Sequence, residues 1–288
     1  MIRSLLFAPA NRRELLLKFP RVPADCYVID LEDGTPPRDK AAARAALPSV
    51  VAELRGHSLH GLLYVRLNEV SSPHYADDLS AALACDLDGV VLPKIEHASE
   101  AVSLARVLAS KGAGRRMNIL GGVESIQGVL NVESFAGADE RLIAFYFGAE
   151  DFAAEMGIDR TLGGEEVAYV RARIALAARA HRKPVIDQAV PQIRDLDQFR
   201  RDSEKGKGLG YSGKICVTPQ QVGLANSIFA PTEEEVNYAK RLLAAYQAGI
   251  DAGNEMITFE DKMIVPEGPH VKRARRIVES ALQFGIGS

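Results

Sequence analysis

The chain has 288 residues, of which 47% are hydrophobic and 25% charged, and its formal net charge is −3. This length allows two small domains or one large barrel, and the charge gives no indication of a nucleic-acid or anionic-membrane partner. No apolar run is long enough to span a membrane, and the N-terminal one is too short for a signal peptide. Cys26, Cys85 and Cys216 are far apart and form no CxxC pair. They predict reduced thiols in a cytoplasmic protein.

In chain order, short apolar runs alternate with longer amphipathic ones. Eight runs predict strands: RSLLFAP (3–9), DCYVIDL (25–31), GLLYVRL (61–67), DGVVLPK (88–94), MNILGGV (117–123), LIAFYFG (142–148), PVIDQAV (184–190) and GKICVTP (213–219). Helices are predicted at 12–19, 38–54, 74–84, 96–110, 125–136, 164–180, 195–209 and 220–229. The strands lack the alternation of a half-exposed sheet, so we expect them to be buried on both faces.

Eight successive strand–helix pairs predict an α/β fold, the (β/α)8 TIM barrel. The rival is an open doubly wound sheet, which normally carries a GxGxxG turn after its first strand, whereas this chain has FAPANRR there. We therefore expect a catalytic barrel domain at residues 1–229.

Residues 230–288 do not continue the barrel pattern. They predict a helix at 232–249, a linker or hairpin at 256–268, and a basic helix at 269–282. We interpret this segment as a C-terminal helical lid, which would exclude water from a reaction. The alternative is a pair of helices packed on the outside of the barrel.

Charged and polar residues gather where the predicted strands end. In a barrel these carboxyl ends form one rim, which carries the active site. The residues are Asp30, Glu32, Asp33, Arg66, Asn68, Lys94, Glu124, Glu150, Asp151, Asp187 and Thr218. Asp33, Asp151 and Asp187 lie near predicted helix starts and could instead cap helices, but so many charges on one rim indicate a functional site.

Glu124 directly follows a buried strand, where it is either a helix cap or a metal ligand. Together with Asp151, it offers two carboxylates on neighbouring strands, a set that suits Mg²⁺ with its bound waters. The six histidines show neither HxH nor HxxxH spacing, which argues against zinc. No GxSxG elbow or strand-end Cys–His pair indicates a covalent acyl enzyme. Lys94 could form a Schiff base or serve as an ion-paired anchor, and we favour the anchor.

Seven segments occur in a specific order: RSLLFAPANRRE, VIDLEDGTPPRDKAAAR, LYVRLN, DGVVLPKIE, GVESIQGVLN, FGAEDFAAEMG and TPQQV. The chain thereby resembles the citrate lyase β-subunit-like family, which includes malyl-CoA and citramalyl-CoA lyases. The resemblance implies a Mg²⁺-dependent carbon–carbon lyase that cleaves or forms a short-chain β-hydroxyacyl-CoA, such as citryl-, malyl- or citramalyl-CoA. It also implies homotrimers or hexamers in which subunits share their lids.

The same resemblance implies roles for single residues. Glu124 in GVESIQG and Asp151 in GAEDF match the two metal ligands of the family. Arg66 in VRLN matches the arginine that holds the substrate carboxylate or keto oxygen. The predicted catalytic residues are Arg66, Glu32 and Asp33. Glu32 and Asp33 match the acids that order water and ligands around the metal. The predicted substrate-binding residues are Arg66, Asn68, Lys94, Ala149 and Glu150.

The chain also departs from the family pattern. Val265 stands in EDKMIVPEG where family lids carry a proton-transferring aspartate, and Glu260, Asp261 and Glu267 are the candidate substitutes. Thr218 replaces a histidine before proline, and PANRRE replaces PGDRPE. These departures keep two alternatives open. One is another reaction on this scaffold, by a thioesterase, a condensing synthase or a free oxo-acid aldolase. The other is a subunit of a larger lyase complex.

Overall fold

The computed structural model describes residues 1–110, 117–254 and 256–286. In these residues eight parallel strands close into a barrel, and each pairs with the next in chain order. They are β1 Ser4–Pro9, β2 Cys26–Asp30, β3 Leu62–Arg66, β4 Gly89–Leu92, β5 Asn118–Val123, β6 Leu142–Phe147, β7 Val185–Asp187 and β8 Gly213–Cys216. Pairing of Leu5 with Ile215 closes the barrel between β1 and β8. The predicted (β/α)8 fold is confirmed.

Helices follow the strands in alternation. They are α1 Arg13–Leu16, α2 Lys40–Gly56, α3 Tyr75–Leu83, α4 Ala98–Ser110, α5 Ile126–Phe135, α6 Ala149–Met156, α7 Ala168–Ala180, α8 Leu196–Leu209 and α9 Pro219–Phe229. Side-chain caps fix the starts of α5 and α8, because Ser125 accepts from the amide of Gly128 and Asp195 from that of Gln198. Helix α6 was not predicted from the sequence, and it ends at Gly157 in the left-handed conformation.

The barrel interior is filled by apolar side chains from all eight strands. This core includes Leu5, Val28, Tyr64, Val91, Leu120, Tyr146, Ile186 and Ile215. Strand residues are buried on both faces, as the missing alternation predicted, because helices cover the outside. A filled interior leaves chemistry to the side chains at the carboxyl rim.

The chain divides into two compact units, Met1–Ser227 and Ile228–Ser288. The second unit contains α10 Glu233–Asp251, a hairpin of β9 Ile257–Phe259 and β10 Lys262–Ile264, and α11 Pro269–Gln283. Its own apolar cluster comprises Ala239, Leu242, Tyr246, Ile264, Val271 and Ala274. In the part of the chain that the structure describes, no helix is long and apolar enough to cross a membrane.

Candidate active site

A cavity of about 570 Å³ opens at the carboxyl ends of the strands of the first unit. Part of its lining is charged and includes Asp30, Arg66, Glu124 and Asp151. The rest is largely apolar and comes mainly from β1, the segment around α1, and β8. It includes Leu6, Leu15, Phe19, Val22, Ile215 and Val217. The cavity therefore offers both charged groups for an anion or cation and an apolar surface.

Glu124 follows the last residue of β5 and is only 2% exposed. The hydroxyl of Tyr146 donates to its Oε1, and the amide of Lys94 donates to the same oxygen at 3.2 Å. Burial raises the pKa of the Glu124 carboxyl. A carboxylate in this position gains most from a nearby cation, as a metal ligand would.

Two glycines make room for the Glu124 carboxylate. A Cβ atom at Gly122 would overlap Oε1, and one at Gly148 would overlap Oε2. Gly122 lies on β5 and Gly148 directly follows β6, so both strands are shaped around the acid. This close approach explains why the motifs read GGVE and FGAED.

Arg66, the last residue of β3, is clamped by acids. Its Nε donates to Asp30 Oδ1 at 2.7 Å and its Nη2 to Asp30 Oδ2 at 2.6 Å, while Nη1 lies 2.9 Å from Glu32 Oε2. The guanidinium also sits 5.0 Å from the ring centroid of Phe7. Burial disfavours its charge, but Asp30 and Glu32 raise the pKa of Arg66 well above its usual value. Arg66 is thus a fixed, permanent cation at the cavity wall.

Glu32 is the acid that the protein satisfies least. It is 4% exposed, and neither carboxylate oxygen has a hydrogen-bond partner among the described residues, although Arg66 and Lys94 lie within ion-pair distance. Burial raises the pKa of Glu32 to about 8, and Glu124 and Asp33 add to this effect. Unpaired, buried carboxylate oxygens are costly unless a further donor or cation reaches them.

This donor set fits Mg²⁺. The described residues contain no cluster of three or more His, Cys, Asp or Glu side chains that could hold a metal without help. Glu124 and Asp151 line the same cavity, and the orphaned oxygens of Glu32 lie close enough to influence Glu124 electrostatically. Mg²⁺ commonly takes one or two carboxylates and keeps several waters, which such oxygens can accept from.

Lys94 bridges two of the acids. Its Nζ lies 3.3 Å from Asp151 Oδ1 and 3.4 Å from Glu32 Oε1. Burial opposes its charge, but these carboxylates raise the pKa of Lys94 above its usual value. A Schiff-base lysine needs a lowered pKa, so the geometry supports the anchor interpretation.

The first turn of α6 brings Ala149, Glu150 and Asp151 to the cavity. Gly148 precedes the helix and provides no side-chain cap, so the first amides remain suited to an anionic group. Ala149 is buried, while the Glu150 carboxylate pairs with Arg160 at 2.7 Å. Backbone groups, rather than the Glu150 side chain, are therefore the suited ligands here.

Asn68 does not lie where a substrate-binding residue is expected. It is buried outside the set of described residues that line the cavity. Its side chain accepts from Lys40 Nζ at 2.8 Å and donates to the Leu31 carbonyl at 2.9 Å and to Asp78. These bonds fix the loop after β3 and leave the predicted substrate contact without structural support.

Asp187 is the last residue of β7, as predicted, but it is not among the described residues that line the cavity. Its neighbour Ile186 belongs to the barrel core, and alternation along β7 turns Asp187 outward. There it pairs with Arg171 of α7 at 2.5 Å and with Lys214 at 2.8 Å. Thr218 serves a capping role, since its Oγ1 accepts from the amide of Gln221 at 3.3 Å.

Three supporting residues were missed in the sequence. Tyr146 was interpreted only as part of a strand, and the uniformly apolar run LIAFYF does not indicate which of its residues face the barrel interior. Lys40 donates to the carbonyls of Leu31 and Glu32 at 2.6 and 2.7 Å and so fixes the backbone that carries Glu32. Arg160 lies in a loop, and no pattern in the sequence indicates its contacts.

A closed barrel with a charged cavity at its carboxyl rim is typical of (β/α)8 enzymes. The family profile described as HpcH/HpaI aldolase/citrate lyase matches residues 3–219. A citrate lyase subunit beta-like protein from Deinococcus radiodurans is 40% identical over 280 residues and is matched over 96% of both chains. An L-malyl-CoA/beta-methylmalyl-CoA lyase from Cereibacter sphaeroides is 30% identical, matched over 97% of this chain and 94% of its own.

Solved structures agree with this relationship. Protein CitE from Mycobacterium tuberculosis, in complex with magnesium, acetoacetate and coenzyme A, superposes with a TM-score of 0.75 at 27% identity. The superposition covers 96% of this chain and 97% of that one. The chain belongs to the HpcH/HpaI aldolase/citrate lyase family, so the resemblance inferred from its motifs is confirmed.

Proposed function

We propose that this protein is a Mg²⁺-dependent carbon–carbon lyase. It cleaves a short-chain β-hydroxyacyl-CoA into an acyl-CoA and an oxo acid, or forms it from them. Citryl-, malyl- and citramalyl-CoA are the candidate substrates. The main support is one cavity lined by Glu124 and the clamped Arg66, with the buried Glu32 within ion-pair distance of Arg66. Relatives named as CoA-ester lyases support the same class of reaction.

Glu124 and Asp151 would hold the metal, with Glu32 and Asp33 ordering its waters. Bound Mg²⁺ lowers the pKa of a chelated hydroxyl and stabilises oxyanions. Lys94 balances the charge of Glu32 and Asp151 and keeps both in place.

Arg66 is proposed to hold the carboxylate or developing keto oxygen of the substrate. Its orientation is set before binding by Asp30 and Glu32, so little reorganisation is needed when charge develops. The uncapped first turn of α6, at Ala149 and Glu150, would receive an oxygen of the oxo acid through backbone amides. Electrostatic groups of this kind typically contribute about 10²–10³-fold in rate.

The apolar part of the cavity is proposed to take the acyl and thioester arm. Leu15, Phe19 and Val22 line it, and so does Lys18, a cation in the same short segment of the chain. An apolar surface in the same cavity as the charged groups would hold the thioester away from water while the carbon–carbon bond changes.

A different reaction on the same scaffold is the alternative, and Val265 is the observation that favours it. Valine cannot transfer a proton, so the lid lacks the acid–base of the family at this position. An acyl-CoA thioesterase, a synthase or a free oxo-acid aldolase would use a different acid–base or need none. A role as a subunit of a larger lyase complex is the further alternative, which copurification would detect.

The test is a coupled assay with malyl-, citramalyl- and citryl-CoA that measures free CoA and oxo acid separately. A lyase releases oxo acid together with an acyl-CoA and no free CoA. A thioesterase releases free CoA without oxo acid, which would contradict the proposal. Loss of turnover on chelation of Mg²⁺ and its return on re-addition are expected.

We further propose that residues 1–229 form the catalytic domain and that residues 230–288 act as a lid in a homotrimer or hexamer. Light scattering coupled to gel filtration would measure the assembly. Deletion of residues 230–288 should remove turnover but retain Mg²⁺ binding, because the proposed ligands lie in the first unit. A cytoplasmic location is also proposed, to be tested by fractionation.

A further inference from the structure

We propose that Arg160 is a positioning residue that holds the first turn of α6 and thereby sets the affinity of Asp151 for the metal. This rests on the proposed role of Asp151 as a Mg²⁺ ligand. Arg160 does not line the cavity and would act only through its neighbours.

Arg160 joins three separate segments at the rim. Its Nη1 donates to Glu150 Oε1 at 2.7 Å, its Nε to Glu166 Oε1 at 2.9 Å, and its Nη2 to Gln188 Oε1 at 3.1 Å. Glu150 lies in the first turn of α6, Glu166 lies before α7, and Gln188 directly follows β7. One half-buried guanidinium therefore ties α6 to the barrel wall.

The Gln188 end of this link is rigidly anchored. Gln188 is buried, and its Nε2 lies 3.3 Å from both carboxylate oxygens of Asp202. Asp202 in turn pairs with Lys214 of β8 and with Arg171 at 3.0 Å. Arg160 thus connects Glu150 to a buried ion-pair cluster between the barrel and its helices.

The Glu166 contact is anchored as well. Its Oε2 accepts from the Thr161 hydroxyl at 2.5 Å and its Oε1 from the Thr161 amide at 3.1 Å. Burial opposes ionisation, but the hydrogen bonds from Thr161 and Arg160 lower the pKa of Glu166 to about 2. The carboxylate thus stays charged and keeps its hold on the guanidinium across ordinary pH.

The first turn of α6 needs such a support. The helix has eight residues and its N-terminal position provides no side-chain cap. Gly157 ends it in the left-handed conformation, which returns the chain toward the first turn and brings Arg160 to Glu150. Asp151 directly follows Glu150, so holding Glu150 in place also holds Asp151. Residues around a metal site commonly orient its ligands in this way.

The experiment measures Mg²⁺ binding by calorimetry in the full chain, without substrate, for wild type, Arg160→Gln, Arg160→Lys and Glu150→Gln. Arg160→Gln should weaken Mg²⁺ binding about 10-fold or more. Arg160→Lys should recover part of the loss, because an ammonium can replace some contacts but not the planar fork. Arg173→Gln is the matched control, since Arg173 also pairs with a glutamate but on the outer faces of α5 and α7.

A double variant isolates the proposed link. If Arg160 acts through Glu150, Arg160→Gln combined with Glu150→Gln should weaken binding no more than the stronger single change. Wild-type Mg²⁺ affinity in Arg160→Gln, or fully additive losses, would overturn the proposal. Glu150→Gln keeps the test open if Arg160→Gln does not fold, because the Glu150 side chain is 54% exposed. Absence of lyase turnover in wild type with intact Mg²⁺ binding would refute the proposed function alone.

Discussion

At the scale of single residues, the site is a group of acids that the protein only partly neutralises. Arg66 and the backbone amides of Glu32 and Gly34 bond Asp30, whereas among the described residues the two oxygens of Glu32 have no hydrogen-bond donor. Glu124 is buried as well. Buried carboxylates without sufficient partners are held protonated or bound to a cation. The function of these residues therefore depends on which of the two occurs.

The pH dependence of stability should report the protonated state of Glu32. Without Mg²⁺, the native state holds a proton up to about pH 8, whereas an unfolded glutamate releases it near 4.5. The native state binds more protons between these values, so the contribution is full below pH 4.5 and is lost as pH rises through about 8. We expect the free energy of unfolding in urea and EDTA to fall from pH 5 to 9, and Glu32→Gln to reduce that fall.

Mg²⁺ provides the complementary measurement, because a cation favours the ionised acid and should flatten the pH profile of wild type. Glu133→Gln serves as the control, since Glu133 lies at the surface and its pKa is lowered, chiefly by Arg173. An unchanged slope in Glu32→Gln would show that another group holds the proton.

Loss of either proposed metal ligand should remove catalysis without unfolding the barrel. Glu124→Ala and Asp151→Ala are each expected to abolish Mg²⁺-dependent turnover, because each removes one of only two proposed protein ligands. The core is built from apolar strand residues, so circular dichroism and the thermal midpoint should show a folded protein. Full activity of Glu124→Ala at ordinary Mg²⁺ would contradict the assignment.

At the scale of elements, the strands and helices were more predictable than the faces they present. Long amphipathic helices and β-branched runs carry strong local patterns, and all eight predicted strands exist. The helix α6 was missed because it has only eight residues and starts without a capping side chain, although its alanine and its two first-turn acids favour a helix. The direction of the Asp187 side chain was missed, because a three-residue strand buried on both sides shows no alternation that tells which residues point inward.

The close approach of β5 and β6 to Glu124 can be tested at a glycine. Gly148→Ala should displace the Glu124 carboxylate, because the added methyl would overlap its Oε2, and should weaken Mg²⁺ binding at least about tenfold. Calorimetric titration measures the effect. Gly208→Ala is the control, because a Cβ there meets open space on α8, where alanine is favoured over glycine. Equal Mg²⁺ affinity in both variants would show that the carboxylate can move freely.

At the scale of the whole molecule, repeated βα units and ordered motifs were sufficient to predict the fold and the family. The sequence could not reveal which side chains support the site, because Lys40, Tyr146 and Arg160 act through contacts that only folding creates. It also left open whether the C-terminal unit supplies a proton. That question concerns Val265 and its three acidic neighbours.

The structure separates these neighbours. Glu260 pairs with Arg241 at 2.7 Å, and both carboxylate oxygens of Glu267 bind Arg275 at 2.7 and 2.8 Å. Asp261 lies in the left-handed turn between β9 and β10. An arginine already engages Glu260 and Glu267, so Asp261 is the strongest substitute of the three.

Substitution of Val265 tests whether the acid–base is missing from the lid. Val265 directly follows β10 and is 38% exposed, so an aspartate there would be tolerated and remain ionised. If no substitute exists, Val265→Asp should raise lyase turnover, by up to the 10²–10⁴-fold that a general acid–base typically contributes. Asp261→Ala, Glu260→Ala and Glu267→Ala should then change little. If Asp261 is the substitute, its alanine variant alone should lose at least about tenfold in turnover with unchanged Mg²⁺ affinity. Fast wild-type turnover with all three alanine variants silent and no gain in Val265→Asp would place the acid–base outside the lid.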